Sequence, residues 1–278
     1  MKTEKLVCSV SIVLTLILFS CGDEIRDTVN PISEQHPQWK KYFDSAKVQG
    51  TFVLYDYKKN KWNYSDSAEA AVQFIPASTF KILNSLISLE CGSVKNENEI
   101  FKWDGVKRRV DSWNADTDLK SAFKNSTVWF YQECARRTGA KKMKEFLDSV
   151  DFGNKDTSGG IDLFWLKGGL RINPIQQINF LKKLYENKLP FQQKNIDIVK
   201  RIMISEDPTI YKLRCKTGWG FTDSSQVGWY IGYIEKANEI YFFSTFVQSK
   251  DTTNENFGKC RKEITNSIIR DLNILKNN

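Results

Sequence analysis

Strand-forming segments lie near both ends of this chain, and a long stretch with mainly helical signals separates them. The first segments are residues 51–57 and 62–64, joined by a short turn, and the others fall between residues 211 and 247. Both sets are rich in the β-branched and aromatic residues that favour strands. A single sheet must therefore be completed by the two ends of the chain, beside an all-helical part at about residues 79–205.

The predicted architecture is α/β in the α+β sense, with an antiparallel sheet flanked by terminal helices and an inserted all-helical subdomain. Helical signals are found at residues 80–89, 127–138, 141–150 and 174–187, and a last helix is predicted at residues 258–275. We expect a functional site at the seam between the sheet and the helical subdomain, where clefts form.

The composition is that of a folded globular chain without a specialised charge pattern. The 278 residues include 41 Lys and Arg against 33 Asp and Glu, and 41% are hydrophobic, which excludes intrinsic disorder. Basic clusters are short and no nucleic-acid motif accompanies them, so no nucleic-acid partner is expected. The only histidine, His36, is interpreted as a solvated linker residue, so neither a His-rich metal site nor any other metal site is expected.

The N-terminus has the pattern of an export signal, with a short charged start and an apolar run over residues 6–19. The run ends Leu18-Phe19-Ser20-Cys21, which resembles a bacterial lipobox. We therefore expect an exported, periplasmic protein that is attached to the membrane through a lipid on Cys21. The alternative is an ordinary signal peptide cut at this point, which gives the same compartment without the anchor.

Three segments follow from this interpretation. Residues 1–20 form the signal peptide, residues 21–36 a polar tether, and residues 37–278 the folded body. An oxidising compartment permits disulfides without requiring them, and the sequence leaves their pairing open. The cysteines of the folded body are Cys91, Cys134, Cys215 and Cys260.

A Ser-x-x-Lys pair opens a strongly apolar helix. Ser78 and Lys81 are three residues apart, so their side chains share one helical face. The apolar residues that follow would desolvate the lysine, which lowers its pKa and makes the amine usable as a base. A second pair, Ser121 and Lys124, lacks this apolar context. We therefore take the first pair as the one that carries chemistry.

Two further elements follow in order along the chain. Ser126-Thr127-Val128 is predicted to open a helix, with Ser126 suited to cap it, and Lys216-Thr217-Gly218 is predicted to close a strand. The ordered set resembles the penicillin-recognising serine enzymes, and its Ser-x-Val element is similar to that of the class D β-lactamases, the oxacillinases. The resemblance includes Phe152-Gly153-Asn154 and covers about residues 40–275, although many members have tyrosine in place of Phe152.

The resemblance implies the fold of the serine β-lactamases and penicillin-binding transpeptidases, and an enzyme that hydrolyses β-lactam antibiotics through an acyl-enzyme and confers resistance. Ser78 would be the nucleophile, with the backbone amides of Ser78 and Trp219 as oxyanion donors. Lys81 would be carboxylated by carbon dioxide or bicarbonate, with no other cofactor, and would act as the general base. Ser126 and Lys216 complete the implied catalytic set, in which Ser126 relays a proton to the leaving nitrogen.

Other residues would bind the substrate and the carbamate. The resemblance implies that Trp165 donates its indole N–H to the carbamate, in a pocket whose apolar walls include Phe80. Cationic and hydroxyl donors would hold the substrate carboxylate. The residues implied for substrate binding are Val128, Thr217, Gly218, Trp219 and Arg261, together with Lys216. Asn154 is explained equally well as a turn residue.

Three other functions remain as alternatives. The extracellular domain of penicillin-responsive membrane receptors shares these motifs but stays acylated, and such receptors need further transmembrane helices. A D-alanyl-D-alanine peptidase is disfavoured by Ser-Thr-Val, and a non-catalytic surface lipoprotein gives no reason for three ordered motifs. The preferred β-lactam and the oligomeric state stay open, because selectivity depends on small differences in the pocket.

Overall fold

The computed structural model describes residues 30–254 and 256–275. The predicted signal peptide and Cys21 therefore lie outside the described residues. A compact unit begins at Pro31 and contains the whole described fold beyond that point. None of the helices in the described ranges combines the length and the apolar character that crossing a membrane requires.

Strands lie near the two ends of the described chain and helices lie between them. In chain order the elements are β1 (Ile32–Gln35), α1 (Lys40–Ser45), β2 (Gln49–Asp56), β3 (Lys61–Tyr64), α2 (Ser67–Ala70), α3 (Lys81–Glu90), α4 (Leu119–Asn125), α5 (Val128–Thr138), α6 (Ala140–Val150), α7 (Pro174–Tyr185), α8 (Gln193–Ile202), β4 (Ile204–Glu206), β5 (Lys212–Phe221), β6 (Gln226–Lys236), β7 (Glu239–Ser249) and α9 (Phe257–Asp271).

The described strands form one sheet in the order β1-β3-β2-β7-β6-β5-β4. All neighbouring strands are antiparallel except β1, which pairs in parallel with β3 at one edge. The strand β2 pairs along its whole length with β7, so the two ends of the chain meet within the sheet. The predicted α+β architecture is confirmed.

Alternation of side chains in the central strands gives the sheet two apolar faces. On β6, Trp229, Ile231 and Tyr233 belong to the larger hydrophobic cluster, which α3 to α8 complete. Tyr230 and Ile234 point the other way, into a smaller cluster completed by α1 and α9. Each large apolar side chain that is fully buried contributes about 1.5–3 kcal/mol of transfer free energy. The sheet is therefore held between two separate packed layers.

The prediction of a polar tether through residue 36 is wrong where the structure describes that segment. Ile32–Gln35 forms β1 although all four residues are exposed. His36, predicted to be solvated, stacks on Trp39 with the ring centroids 4.2 Å apart, and its Nε2 lies 3.0 Å from Asn63 Oδ1. An edge strand needs only backbone partners on its neighbour, so the composition of the segment did not reveal it.

Two element boundaries also differ from the prediction. The last helix ends at Asp271 instead of residue 275, because Leu272 caps it and Asn273 adopts a left-handed φ of 56°. The strand that contains Lys216-Thr217-Gly218 continues to Phe221, so this motif lies in the middle of β5 and does not close it. Its position is fixed by continuous pairing with β6.

Candidate active site

Ser78 lies in a tight 3-10 turn, Ala77–Phe80, immediately before α3. The residue before it, Ala77, has a φ of 48°, a conformation that is unfavourable for a residue with a Cβ atom. Two hydrogen bonds hold this turn: the Ala77 N–H donates to the Trp165 carbonyl at 3.1 Å, and the Thr79 hydroxyl donates to the Pro76 carbonyl at 2.8 Å. The serine is therefore presented by a strained turn that its surroundings stabilise.

Lys81 begins α3 and has no exposed surface. Its Nζ donates a hydrogen bond to Ser78 Oγ at 2.7 Å, as the spacing of three residues predicts. Burial lowers the pKa of Lys81 well below its usual range, and the nearby charge of Lys216 lowers it further. A buried lysine whose pKa is lowered, beside a serine hydroxyl, is suited to proton transfer and to reaction with an electrophile.

An aromatic enclosure surrounds Phe80, the residue that directly precedes Lys81. Phe80 stacks on Trp165 with the ring centroids 5.2 Å apart, and Phe164 contacts both rings edge-on. Tyr131 lies near the lysine itself, with its ring centroid 5.3 Å from Lys81 Nζ. Sequence reasoning missed Tyr131, although it follows Val128 by three residues on α5 and so shares its helical face.

Trp165 carries an unsatisfied donor in this enclosure. The side chain is fully buried, and its Nε1 has no hydrogen-bond partner. A buried donor without an acceptor costs about 1–3 kcal/mol, so such groups are rare unless a ligand completes them. The unpartnered N–H is a donor that would suit the predicted carbamate, an anionic acceptor formed on the Lys81 amine itself.

Ser126 connects α4 to α5 in a left-handed conformation with a φ of 53°. Ser126 is the C-cap of α4 and not the N-cap of α5 that the sequence suggested, because Thr127 takes that position. The Ser126 hydroxyl instead accepts a hydrogen bond from Lys216 Nζ at 2.5 Å. The left-handed backbone accompanies a serine side chain that reaches Lys216 of β5, and α5 starts two residues later, at Val128.

The strand β5 packs directly against the turn that carries Ser78. A Cβ atom on Gly218 would lie 3.0 Å from the Pro76 carbonyl oxygen and 3.2 Å from Thr79 Cγ2, so a larger residue would push the turn away by a few tenths of an ångström. Lys216 and Gly218 therefore face the turn, and Thr217 and Trp219 alternate to the other side of the strand. This packing brings the backbone of Trp219 alongside the nucleophile turn.

Two buried cations, Lys216 of β5 and Arg261 of α9, lie close enough for the charge of Arg261 to affect Lys216. Burial lowers the pKa of Lys216 to about 7, with a further lowering by Arg261 and Lys262 against an opposing effect of Cys215. Arg261 is 7% exposed, and its Nε and Nη1 have no partner. Burial lowers the pKa of Arg261 to about 10. Buried cations without a carboxylate partner are costly, and a bound anion would relieve that cost.

The remaining predicted residues lie around this centre. Val128 is half-buried at the first position of α5, and Trp219 is 41% exposed with its ring 5.8 Å from the Arg261 guanidinium. Asn154 does not point to a ligand role, because its side chain donates to the Gly169 carbonyl and accepts from the Arg171 N–H, both at 2.9 Å. Within the described ranges no group of His, Cys, Asp and Glu is arranged to hold a metal ion.

Comparison with known proteins gives consistent matches over the folded part of the chain. The penicillin-binding protein transpeptidase domain matches residues 49–270. Beta-lactamase OXA-48 of Klebsiella pneumoniae is 39% identical over 242 residues, which cover 87% of this chain and 90% of that protein. A class D beta-lactamase structure from Sebaldella termitidis has a TM-score of 0.85 at 39% identity, covering 88% of this chain and 100% of that one.

A receptor domain is also similar to this chain. The C-terminal domain of the Bacillus licheniformis BlaR penicillin-receptor has a TM-score of 0.83 at 33% sequence identity, covering 89% of this chain and 99% of that one. The fold of this chain is therefore shared by class D beta-lactamases and by a penicillin-receptor domain.

Proposed function

This chain belongs to the penicillin-binding transpeptidase family and, within it, to the class D β-lactamases, and from that premise we propose that it hydrolyses β-lactam antibiotics through Ser78 and Lys81. The observation that carries this assignment of residues is the 2.7 Å hydrogen bond between Lys81 Nζ and Ser78 Oγ in an enclosed pocket. Destruction of the antibiotic outside the cytoplasm is the route by which the protein would confer resistance.

In acylation, Ser78 Oγ attacks the lactam carbonyl carbon and loses its proton to the Lys81 side chain. The lactam C–N bond breaks, and Ser126 gives its proton to the departing nitrogen. Lys216, bonded to the Ser126 hydroxyl, is placed to replace that proton. The backbone N–H groups of Ser78 and Trp219 stabilise the negative charge on the carbonyl oxygen, and each such donor contributes roughly 2.7–4 kcal/mol.

Deacylation needs a base that activates water against the Ser78 ester. His36 is distant in the chain and bonded to Asn63, so the Lys81 side chain is the candidate base. When carboxylated by carbon dioxide, Lys81 supplies an anionic oxygen base beside the ester. Two observations support carboxylation. Burial lowers the pKa of Lys81, which favours the neutral amine that reacts with carbon dioxide, and the buried Trp165 N–H has no partner and could donate to the carbamate.

The substrate carboxylate would bind to Arg261, Lys216 and the hydroxyl of Thr217. The two unpartnered nitrogens of the Arg261 guanidinium offer a planar donor pair that suits a carboxylate. Gly218 and the exposed Trp219 follow Thr217 in β5 and point to opposite sides of the strand, and Val128 would border the site from α5.

The N-terminal segment of the protein would direct its export from the cytoplasm. An apolar run over residues 6–19 that ends in Leu18-Phe19-Ser20-Cys21 supports a periplasmic protein with a lipid on Cys21. In that position the enzyme would meet β-lactams before they reach their targets.

Steady-state nitrocefin hydrolysis, followed together with intact mass, tests the proposal. The wild type should turn over continuously and show a transient adduct on Ser78. Ser78→Ala should lose both signals, whereas Ser121→Ala in the second Ser-x-x-Lys pair should keep them. A single stoichiometric burst would identify a sensor of the receptor kind, and no reaction at all would refute both functions.

A further inference from the structure

A cavity of about 350 Å³ adjoins the proposed carboxylate site. It lies between the C-terminal turns of α4 and α8 and the strand β5, and Lys216 and Thr217 form part of its wall. Its other polar lining is dominated by cations, and no Asp or Glu of the described residues is among the lining residues. The further cations are Lys120, Lys124, Arg201 and Lys262.

Most of this positive charge is not neutralised by an ion pair. Arg201 binds Glu97, which also feels the charge of Lys120. Within the described ranges Lys120, Lys124 and Lys262 form no ion pair with a carboxylate, and the Lys262 ammonium lies 5.6 Å from the Tyr230 ring centroid. Like charges that share one cavity repel each other, so the cavity has a positive potential that favours an anion.

The cavity continues directly from the reacting groups. Lys216 lines the cavity, and its Nζ is hydrogen-bonded to Ser126 Oγ. Only the Lys216 side chain therefore separates the cavity from Ser126. If Ser126 faces the lactam nitrogen, the ring fused at that nitrogen carries its carboxylate towards Lys216 and Thr217. A substituent on the ring carbon adjacent to the one that bears the carboxylate would then extend into the cavity.

We propose that this cavity, here called the second anion site, binds an additional anionic group on the carboxylate-bearing ring of the substrate. The inference rests on the proposed function and adds a preference for dianionic over monoanionic β-lactams. The group would be a sulfonate or carboxylate on a ring substituent, held mainly by Lys120, Lys124 and Lys262. The cavity is large enough for such a group together with water.

Cefamandole and cefonicid provide a matched pair of ligands. They share the acyl side chain and the tetrazolylthiomethyl substituent at C3, and cefonicid adds a sulfonate to the methyl group on the tetrazole. The inhibition constant of each against nitrocefin hydrolysis reports binding whether or not the cephalosporin is itself turned over. We expect the wild type to bind cefonicid more tightly, with the preference falling as sodium chloride is raised.

The variant Lys120→Ala/Lys124→Ala should reduce this preference by about three- to tenfold, from the usual worth of partly exposed charge pairs. Lys262→Ala should reduce it less, and Lys124→Arg should retain it because the charge is kept. Lys194→Ala is the matched control, since Lys194 is an exposed lysine at the other end of α8 that does not line the cavity.

The outcomes separate the two proposals. An equal preference in the wild type, the double variant and Lys194→Ala, with nitrocefin hydrolysis intact, refutes the second anion site and leaves the proposed function standing. A loss of preference that is the same for Lys194→Ala would show a general effect of net charge and also refute the site. Absence of nitrocefin hydrolysis by the wild type would refute the proposed function, and the second anion site would fall with it.

Discussion

Replacing Trp165 by phenylalanine removes one buried N–H and leaves an aromatic ring in the same wall. The side chain is fully buried, and its Nε1 has no acceptor in the described protein. Carboxylation of Lys81 would provide that acceptor, and a hydrogen bond to a charged group contributes about 1.5–3 kcal/mol. At about 1.4 kcal/mol for each factor of ten, we expect Trp165→Phe to bind carbon dioxide about 10- to 150-fold more weakly.

The assay is a titration with isotopically labelled bicarbonate, in which NMR reports the carbamate and nitrocefin turnover reports activity. Both signals should reach half their maximum at a higher bicarbonate concentration in Trp165→Phe, and saturating bicarbonate should restore most of the turnover. Trp129→Phe is the control, because the Trp129 Nε1 already donates to the Trp113 carbonyl at 2.8 Å. Equal carbon dioxide affinity in wild type and Trp165→Phe would refute a role of the indole N–H.

Three further predictions follow from the same site and from the N-terminus. Lys81→Ala should slow deacylation by about 10²–10⁴-fold, so that the acyl-enzyme accumulates in mass spectra. Added bicarbonate should restore the turnover that the wild type loses in acid, but it should not restore turnover of Lys81→Ala. Rescue of Lys81→Ala by bicarbonate would contradict the assignment of Lys81 as the base. The Lys216 ammonium, whose pKa burial lowers to about 7, is lost as pH rises through that value, so kcat/KM for carboxylate-bearing substrates should fall on the alkaline side. Lys216→Arg keeps a positive charge at higher pH, so the alkaline fall of kcat/KM should move upward by about one pH unit or more. An alkaline fall at the same pH in both proteins would show that another group causes it. Cys21→Ala should shift the protein from the membrane to the soluble periplasmic fraction; recovery of the wild type in the soluble fraction, with no mass added to Cys21, would exclude the anchor.

Local sequence patterns were sufficient for the architecture and for the family. The alternation of Trp229, Ile231 and Tyr233 with Tyr230 is a strand pattern that long-range pairing reinforces, so the prediction and the fold agree. Ser78 and Lys81 meet because three residues separate them at the start of a helix, which is a local geometric fact. The four described cysteines, whose pairing the sequence left open, are free thiols in the structure.

Features that depend on distant contacts were not predictable in this way. Neither Ala77 nor Ser126 carries a local signal for a left-handed backbone, and the surrounding packing imposes it on both. Lys216-Thr217-Gly218 was expected to close a strand, yet continuous pairing with β6 carries the strand on to Phe221. The edge strand Ile32–Gln35 likewise depends on the exposed edge of β3.

The unpartnered N–H of Trp165 has a thermodynamic consequence for the whole molecule. Under the proposed carboxylation, carbon dioxide is a ligand of the folded state, because the unfolded chain leaves Lys81 solvated and protonated. By linkage, the free energy of unfolding then rises with dissolved carbon dioxide by about 1.4 kcal/mol for each tenfold increase above the dissociation constant. The melting temperature of this protein would thus rise with the carbon dioxide content of the gas with which its buffer is equilibrated. The melting temperature of Lys81→Ala would not depend on carbon dioxide.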